Sequence, residues 1–274
     1  MLKERVLTAL LLAPLFILSI IYLPSRLFAL LSGVFVLLGA WEWGGLLGVD
    51  SSRVRVSYTA CVLLLAVPLY LQPGVTLILA IGLIWWLFAV YRLVVWTGRP
   101  WSLLYRVLSG FIVLVTAWYA VYSLHADRRG APLLLIFFVL VWAADIGAYF
   151  VGRAWGKRQL APQISPGKTI EGVIGGLVSV GAVAALAGVV FLNLHGIGWF
   201  EWLLLCAATA IAAVVGDLFE SQLKRMAGVK DSGSLLPGHG GVLDRIDGIT
   251  ASAPVFALGW WWIFGPEALQ TSAL

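Results

Sequence analysis

Long apolar runs limit what this chain of 274 residues can fold into more than any other feature of its sequence. Because a helix needs about 20 mainly apolar residues to cross a bilayer, the runs predict an all-α polytopic membrane protein with about nine transmembrane helices. The composition agrees, since 61% of the residues are hydrophobic and 11% are charged, which excludes soluble globular and disordered proteins. The predicted spans are 6–23, 27–47, 56–72, 75–96, 107–124, 131–151, 172–193, 199–216 and 249–265.

The boundary between the third and fourth runs leaves an alternative open. Segments 56–72 and 75–96 are separated only by Pro73 and Gly74. They form either two full spans, as the count of nine assumes, or a re-entrant pair.

The distribution of basic residues predicts the orientation. With the N-terminus inside, 14 of the 18 Lys and Arg fall in cytoplasmic segments, Arg92 lies near a helix end, and only Arg26, Arg128 and Arg129 lie on the opposite side. Cytoplasmic loops carry such an excess, so we expect the N-terminus inside and the C-terminus outside. The same rule explains the net charge of +5 without a nucleic-acid partner.

Charged residues are concentrated in two of the cytoplasmic segments. Segments 152–171 and 216–248 hold 14 of the 31 charged side chains (18 Lys and Arg plus 13 Asp and Glu), and five of the acids lie in 216–248. Acids contribute little to orientation, so topology alone does not explain their position. We therefore expect the active site at the cytoplasmic interface.

Two helix ends in this region carry carboxylates at helical spacing. If the eighth span continues into the cytoplasm, Asp217, Glu220, Ser221 and Lys224 share one face, while Asp244 and Asp247 share a face at the start of the ninth span. Carboxylates without softer ligands suit Mg²⁺, which is usually held by one or two acids and the substrate phosphates. The alternative is ion pairing of these acids with neighbouring basic residues.

A glycine-rich loop, 230–242, connects the two helix ends. Its turns and exposed N–H groups suit a phosphate, and four cations flank it. Together with the acids, the loop indicates a site for a metal and a polyphosphate. His239 is expected to donate a hydrogen bond to a phosphate or to act as a proton shuttle. The residues of this pattern are Lys224, Arg225, Lys230, Asp231, His239, Gly240, Gly241 and Arg245.

An upstream segment faces the same side of the membrane. Asp145 lies inside an apolar run, where an ionisable residue is a functional candidate unless it pairs with Arg153. The stretch SPGKTIEG from Ser165 is not a P-loop, because Pro162 stands where the first glycine belongs. Lys168 is nevertheless well placed for a charged ligand.

Residues 221–247 resemble the signature of the phosphatidate cytidylyltransferase (CDP-diacylglycerol synthase) family. That signature runs Ser-x-hydrophobic-Lys-Arg, Lys-Asp, Pro-x-His-Gly-Gly and Asp-Arg-hydrophobic-Asp, and it matches without a gap. Upstream elements beginning at Asp145, Ser165 and Gly216 also resemble the family. The motifs lie in 131–274, which we expect to be the catalytic region. Residues 1–130 match the family only as generic spans. We expect the two parts to form one integrated membrane domain.

The resemblance implies a multi-pass enzyme of the cytoplasmic (inner) membrane that converts CTP and phosphatidic acid into CDP-diacylglycerol and pyrophosphate for phospholipid synthesis. It implies one or two Mg²⁺ ions held by Asp217, Asp244 and Asp247, with Asp145 as a further candidate. Phosphatidate carries its own nucleophilic oxygen, so no enzyme nucleophile is required. Ser221 is therefore expected to be a ligand or positioning group rather than a covalent centre. The implied phosphate contacts and remaining substrate-binding residues are Lys168, Lys224, Arg225, Lys230, Arg245, Ser165, Asp231, His239, Gly240 and Gly241.

Other functions remain open from sequence. A CDP-alcohol phosphotransferase would need a tighter acidic pattern that is absent here. A secondary transporter for an anionic solute would usually show inverted repeats or interrupted helices near the midplane, and a scaffold module would not explain the acids. The resemblance leaves a homodimer open.

Overall fold

The described part of each predicted apolar run lies in its own helix. The computed structural model describes residues 13–49, 51–71, 76–192, 198–235, 238 and 240–265. Within these residues the helix that ends at Ala187 continues as a π-helical turn over Gly188–Leu192. In chain order the helices are α1 (Ala13–Tyr22), α2 (Ser25–Leu46), α3 (Ser52–Leu71), α4 (Thr76–Val94), α5 (Leu103–His125), α6 (Gly130–Trp155), α7 (Ile170–Ala187), α8 (Gly198–Met226) and α9 (Leu243–Phe264).

Seven of the described helices, α2 to α8, are long and apolar enough to cross a membrane by length and composition. The prediction of an all-α polytopic membrane protein is confirmed. The helices α3 and α4 contain 20 and 19 residues, so each is long enough for a full span, which favours two spans over a re-entrant pair. The connecting residues 72–75 lie outside the described residues.

The outer surface of the helices is apolar. On α3, only Tyr58 and Val62 are buried, whereas Leu64 is 70% exposed. An apolar surface of this extent would be unfavourable in water but is matched by lipid chains. The exposed faces therefore agree with a membrane-embedded bundle.

Glycines allow two helix pairs to approach closely at the cytoplasmic end. A Cβ at Gly147 of α6 would collide with the α7 residues Gly175 and Ser179, and a Cβ at Gly216 of α8 would collide with the backbone oxygen of Asp247. Small residues at such positions permit tight packing in membranes. The second contact brings Asp217, the residue after Gly216, close to Asp247 of α9.

A short antiparallel hairpin precedes α7. Strands β1 (Gln159–Ala161) and β2 (Ser165–Thr169) pair through Gln159 with Thr169 and through Ala161 with Ser165. The sequence did not predict these strands, because their two faces carry no alternating apolar pattern. Thr169 then caps α7 by accepting a hydrogen bond from the N–H of Gly172 at 3.1 Å, which sets the position of Lys168.

The orientation is testable with cysteines in a background lacking Cys61 and Cys206. Ser234 is an exposed residue between α8 and α9. In right-side-out vesicles, the variant S234C should react with an impermeant thiol reagent only after permeabilisation, because the basic residues place this loop inside. R128C, between α5 and α6, should react before permeabilisation. The opposite labelling pattern would contradict the orientation.

Candidate active site

The cytoplasmic half of α8 presents one polar face. The eighth span was predicted to end at residue 216, but the helix continues to Met226, which meets the condition for the shared face, so the side chains of residues four apart meet. The Oγ of Ser221 donates to Oδ1 of Asp217 at 3.2 Å, and the Nζ of Lys224 donates to Oε2 of Glu220 at 2.6 Å. The predicted helical face is confirmed.

Four elements contribute charges to what we call the Lys168 cluster, consisting of Asp145, Lys168, Asp217 and Asp247. The Nζ of Lys168 on β2 forms an ion pair with Oδ2 of Asp217 on α8. The charges of Asp217 and Lys168 also act on Asp145 of α6 and Asp247 of α9. Three carboxylates and one ammonium leave a formal charge of −2 (−3 plus +1), which suits a divalent cation.

Glu171 fixes the two ends of the hairpin that carries Lys168. Oε2 of Glu171, in the first turn of α7, accepts hydrogen bonds from the backbone N–H groups of Lys157 and Arg158 at 3.0 and 3.1 Å. Its Oε1 forms an ion pair with Nε of Arg158 at 3.1 Å. Glu171 thus links the residues that follow α6 to the first turn of α7. Its basic partner is Arg158, so Lys168 forms its ion pair with Asp217 instead.

A second group, which we call the Lys224 cluster, consists of Glu220, Lys224 and Asp244. The Nζ of Lys224 lies 2.6 Å from Oε2 of Glu220 and 2.6 Å from Oδ1 of Asp244. All three side chains are nearly buried, with exposed fractions of 11%, 4% and 8% for Lys224, Glu220 and Asp244. This geometry is the ion-pairing alternative that the sequence left open for Asp244.

The second oxygen of Asp244 organises the glycine-rich loop. Its Oδ2 accepts hydrogen bonds from the N–H and the Oγ of Ser232, both at 3.0 Å, and from the N–H of Gly241 at 2.9 Å. Gly240 has a φ of +82°, a left-handed conformation that favours glycine. Both oxygens of Asp244 therefore have protein partners, and its side chain is 8% exposed, against 34% for Asp217.

Glu42 is a residue of this site that the sequence reasoning missed. It is 3% exposed and accepts hydrogen bonds from the N–H groups of Val242 and Leu243 at 3.0 and 2.8 Å. Its Oε2 also lies 3.2 Å from Oγ of Ser232, and it shares the single hydroxyl proton of that residue with Asp244. A carboxylate at a helix N-terminus is stabilised by the free N–H groups and the helix dipole. The sequence does contain an indication of its importance, because Glu42 is a lone acid in an apolar run, where an ionisable residue is a functional candidate.

The remaining candidates lie at the edge of the site. Nε of Arg225 donates to the backbone oxygen of Ile164 at 3.2 Å, which links α8 to the hairpin turn. Lys230, Asp231 and Arg245 are exposed, and Ser165 belongs to β2. His239 lies outside the described residues. Among the described residues, no three His, Cys, Asp or Glu are placed to hold a metal by themselves.

Replacing Glu42 with Gln is expected to lower kcat/KM about tenfold, because loss of the charge-assisted hydrogen bonds of roughly 1.5 kcal/mol loosens the loop that Asp244 also holds. Steady-state kinetics of E42Q would show this, mainly as a raised KM. Glu201, at the opposite end of α8, provides the matched control E201Q, which should keep wild-type kinetics. Unchanged kinetics in E42Q would show that Glu42 is dispensable for positioning the loop.

Several known proteins similar to this chain carry the same name. The sequence profile of the cytidylyltransferase family matches residues 3–262. A protein of Pseudomonas aeruginosa named phosphatidate cytidylyltransferase is 43% identical over 269 residues, covering 95% of this chain and 97% of its own length. Proteins of the same name from Haemophilus influenzae and Thermotoga maritima are 39% and 33% identical, covering 94% and 93% of this chain and 98% and 94% of their own lengths.

Proposed function

Because this chain belongs to the cytidylyltransferase family, we infer that it transfers the cytidylyl group of CTP to phosphatidic acid. The products are CDP-diacylglycerol, a precursor of phospholipids, and pyrophosphate. The observation that carries this inference is the similarity to named phosphatidate cytidylyltransferases over nearly the whole chain. The protein is an integral, multi-pass protein of the inner membrane.

The reaction joins two anions at the membrane surface. A phosphate oxygen of phosphatidate attacks the α-phosphorus of CTP, a new phosphorus–oxygen bond forms, and the bond to the β-phosphate breaks to release pyrophosphate. Since the lipid supplies the nucleophile, no enzyme nucleophile is needed. Ser221, which donates to Asp217, serves to orient that carboxylate.

The Lys168 cluster fits a divalent metal such as Mg²⁺. Its donors are carboxylates, its formal charge is −2, and Asp145 has no ion pair within the described residues. We propose Asp217 and Asp247 as the ligands, with Asp145 nearby and the substrate phosphates completing the set, because Mg²⁺ is usually held in this way. When bound, the metal neutralises phosphate charge and favours departure of pyrophosphate.

Basic residues around the two clusters are proposed to bind the phosphates. Arg225, Lys230 and Arg245 stand at the exposed edge, where they can attract CTP from the cytoplasm. Lys168 lies next to the acids and can contact a phosphate when Asp217 binds the metal. Lys224 is held by two carboxylates, so its proposed role is to fix the loop and the local charge.

Residues outside the motif region also take part in this proposal. Glu42 belongs to the first 130 residues, yet it holds the start of α9 and the loop. The expected division at residue 130 therefore separates motifs from generic spans, and we propose that both parts work as one unit.

The activity can be tested with purified protein in nanodiscs, CTP labelled at the α-phosphate, phosphatidate and Mg²⁺. We expect label in the lipid fraction and release of pyrophosphate, and neither with diacylglycerol in place of phosphatidate, because diacylglycerol lacks the attacking phosphate oxygen. EDTA should abolish the reaction. Labelled lipid formed equally well in EDTA would contradict the metal proposal, and anion flux without CTP turnover would favour a transporter.

A further inference from the structure

A cavity of about 190 Å³ lies at the end of α4, and none of its lining residues belongs to the Lys168 or Lys224 cluster. Its walls include Arg92, Trp96, Thr97, Arg99 and Trp101. With the N-terminus inside, α4 ends on the cytoplasmic side, so the cavity lies at the membrane–cytoplasm interface. None of the residues that line it is acidic.

The guanidinium of Arg92 is held in place but not satisfied. It stacks over the rings of Trp101 and Tyr105, at 5.8 and 5.1 Å from their centroids. Its Nε is buried and has no hydrogen-bond partner among the described residues. A buried N–H without a partner is costly. The planar guanidinium that carries this Nε is always charged and matches the geometry of a phosphate.

The walls of the cavity are well anchored. Nε1 of Trp96 donates to the backbone oxygen of Arg99 at 2.9 Å, which closes the turn after α4. The ring of Trp101 stacks on Phe219 of α8 at 5.3 Å, and the backbone N–H of Trp101 donates to Sδ of Met226 at 3.3 Å. The positive-inside rule explains a basic residue on this side, but it does not explain why Arg92 and Arg99 line one cavity that no acidic residue lines.

The surface beside the cavity faces lipid. Tyr91, Val94 and Val95 at the end of α4 are 60%, 80% and 44% exposed, and tryptophans are favoured at this depth. Basic pockets at the cytoplasmic ends of transmembrane helices bind phospholipid head groups. We propose that this cavity binds the phosphate of an anionic phospholipid, with the acyl chains of that lipid lying along the exposed face of α4.

The proposal is tested by protection of a cysteine at the exposed Thr97. In a background lacking Cys61 and Cys206, T97C is labelled with an uncharged maleimide in nanodiscs of phosphatidylcholine with or without phosphatidylglycerol. We expect phosphatidylglycerol to slow labelling about threefold or more. The matched control is S234C, an exposed cysteine on the same side, whose labelling rate corrects for the general effect of an anionic surface.

Two further measurements identify the ligand and its contacts. Inorganic phosphate added to phosphatidylcholine nanodiscs should not protect T97C, and the double substitution R92Q/R99Q should remove the protection by phosphatidylglycerol. R99Q alone, at an exposed position, should weaken it even if Arg92 is needed for folding. Equal slowing at S234C, protection by phosphate without anionic lipid, or full protection in R99Q would overturn the proposal. Phosphatidylglycerol is not the substrate inferred above, so the result is independent of the cytidylyl transfer.

Discussion

Replacing Asp217 or Asp247 with Asn is expected to lower kcat/KM by at least about 10²-fold, on the order of 2.7 kcal/mol or more. Each change removes one of the charges that give the Lys168 cluster its formal charge of −2 while keeping the size and one acceptor oxygen. The side chain of Asp217 is 34% exposed, so D217N should fold and insert normally. Steady-state kinetics with CTP, phosphatidate and limiting Mg²⁺ measure the effect.

Two comparisons separate metal binding from simple ion pairing with Lys168. If metal binding is weakened, raising Mg²⁺ should partly rescue D217N and D247N. If Asp217 serves only to neutralise Lys168, the double variant D217N/K168Q should regain activity. Near-wild-type turnover of both Asn variants at limiting Mg²⁺ would refute the metal proposal. The control E201Q, on the opposite side of the membrane, should be almost silent.

Replacing Lys224 with Met is expected to destabilise the protein by about 3–5 kcal/mol, because it leaves the carboxylates of Glu220 and Asp244 without their shared cation in a nearly buried site. The loss should appear as a lower temperature of aggregation in detergent. The double variant K224M/E220Q should recover most of the stability, since Glu220 then carries no charge. Asp244 keeps the hydrogen bonds from Ser232 and Gly241.

The activity of the double variant tests what Lys224 does. If Lys224 contacts a phosphate during the reaction, as the family resemblance implies, K224M/E220Q should be stable but strongly impaired. If Lys224 only joins α8 to α9, activity should return together with stability. Failure of K224M to destabilise the protein would show that the Lys224 cluster is not a structural link.

The membrane architecture follows from the sequence because its cause is local. A run of about 20 apolar residues must form a helix in a bilayer, since each backbone group there is satisfied only within the helix. Helical spacing also placed Asp217 and Ser221 on one face, on the condition that the eighth span continues past residue 216, because this spacing depends on nearby residues alone. The motif between 221 and 247 then indicated the family.

Tertiary packing decided which charges meet. Asp244 and Asp247 are three residues apart and look equivalent in sequence. Yet Asp244 binds Lys224 and the loop directly, whereas Asp247 lies near Asp217 and is affected by the charges of both Lys168 and Lys224. The difference arises from the close approach of α8 and α9 at Gly216, which no local pattern specifies. The sequence alone could not choose between a metal ligand and an ion pair for either residue.

Glu42 illustrates the same limit over a longer separation. Its partners Val242 and Leu243 are about 200 residues away in the chain, and only the packing of α2 against the start of α9 brings them together. The hairpin that carries Lys168 likewise depends on Glu171 and on the end of α6. Local sequence thus determined the helices, their faces and the chemistry available, whereas the partners of each charge were decided by contacts between distant segments, because Coulomb and hydrogen-bond energies depend on distance in space rather than along the chain.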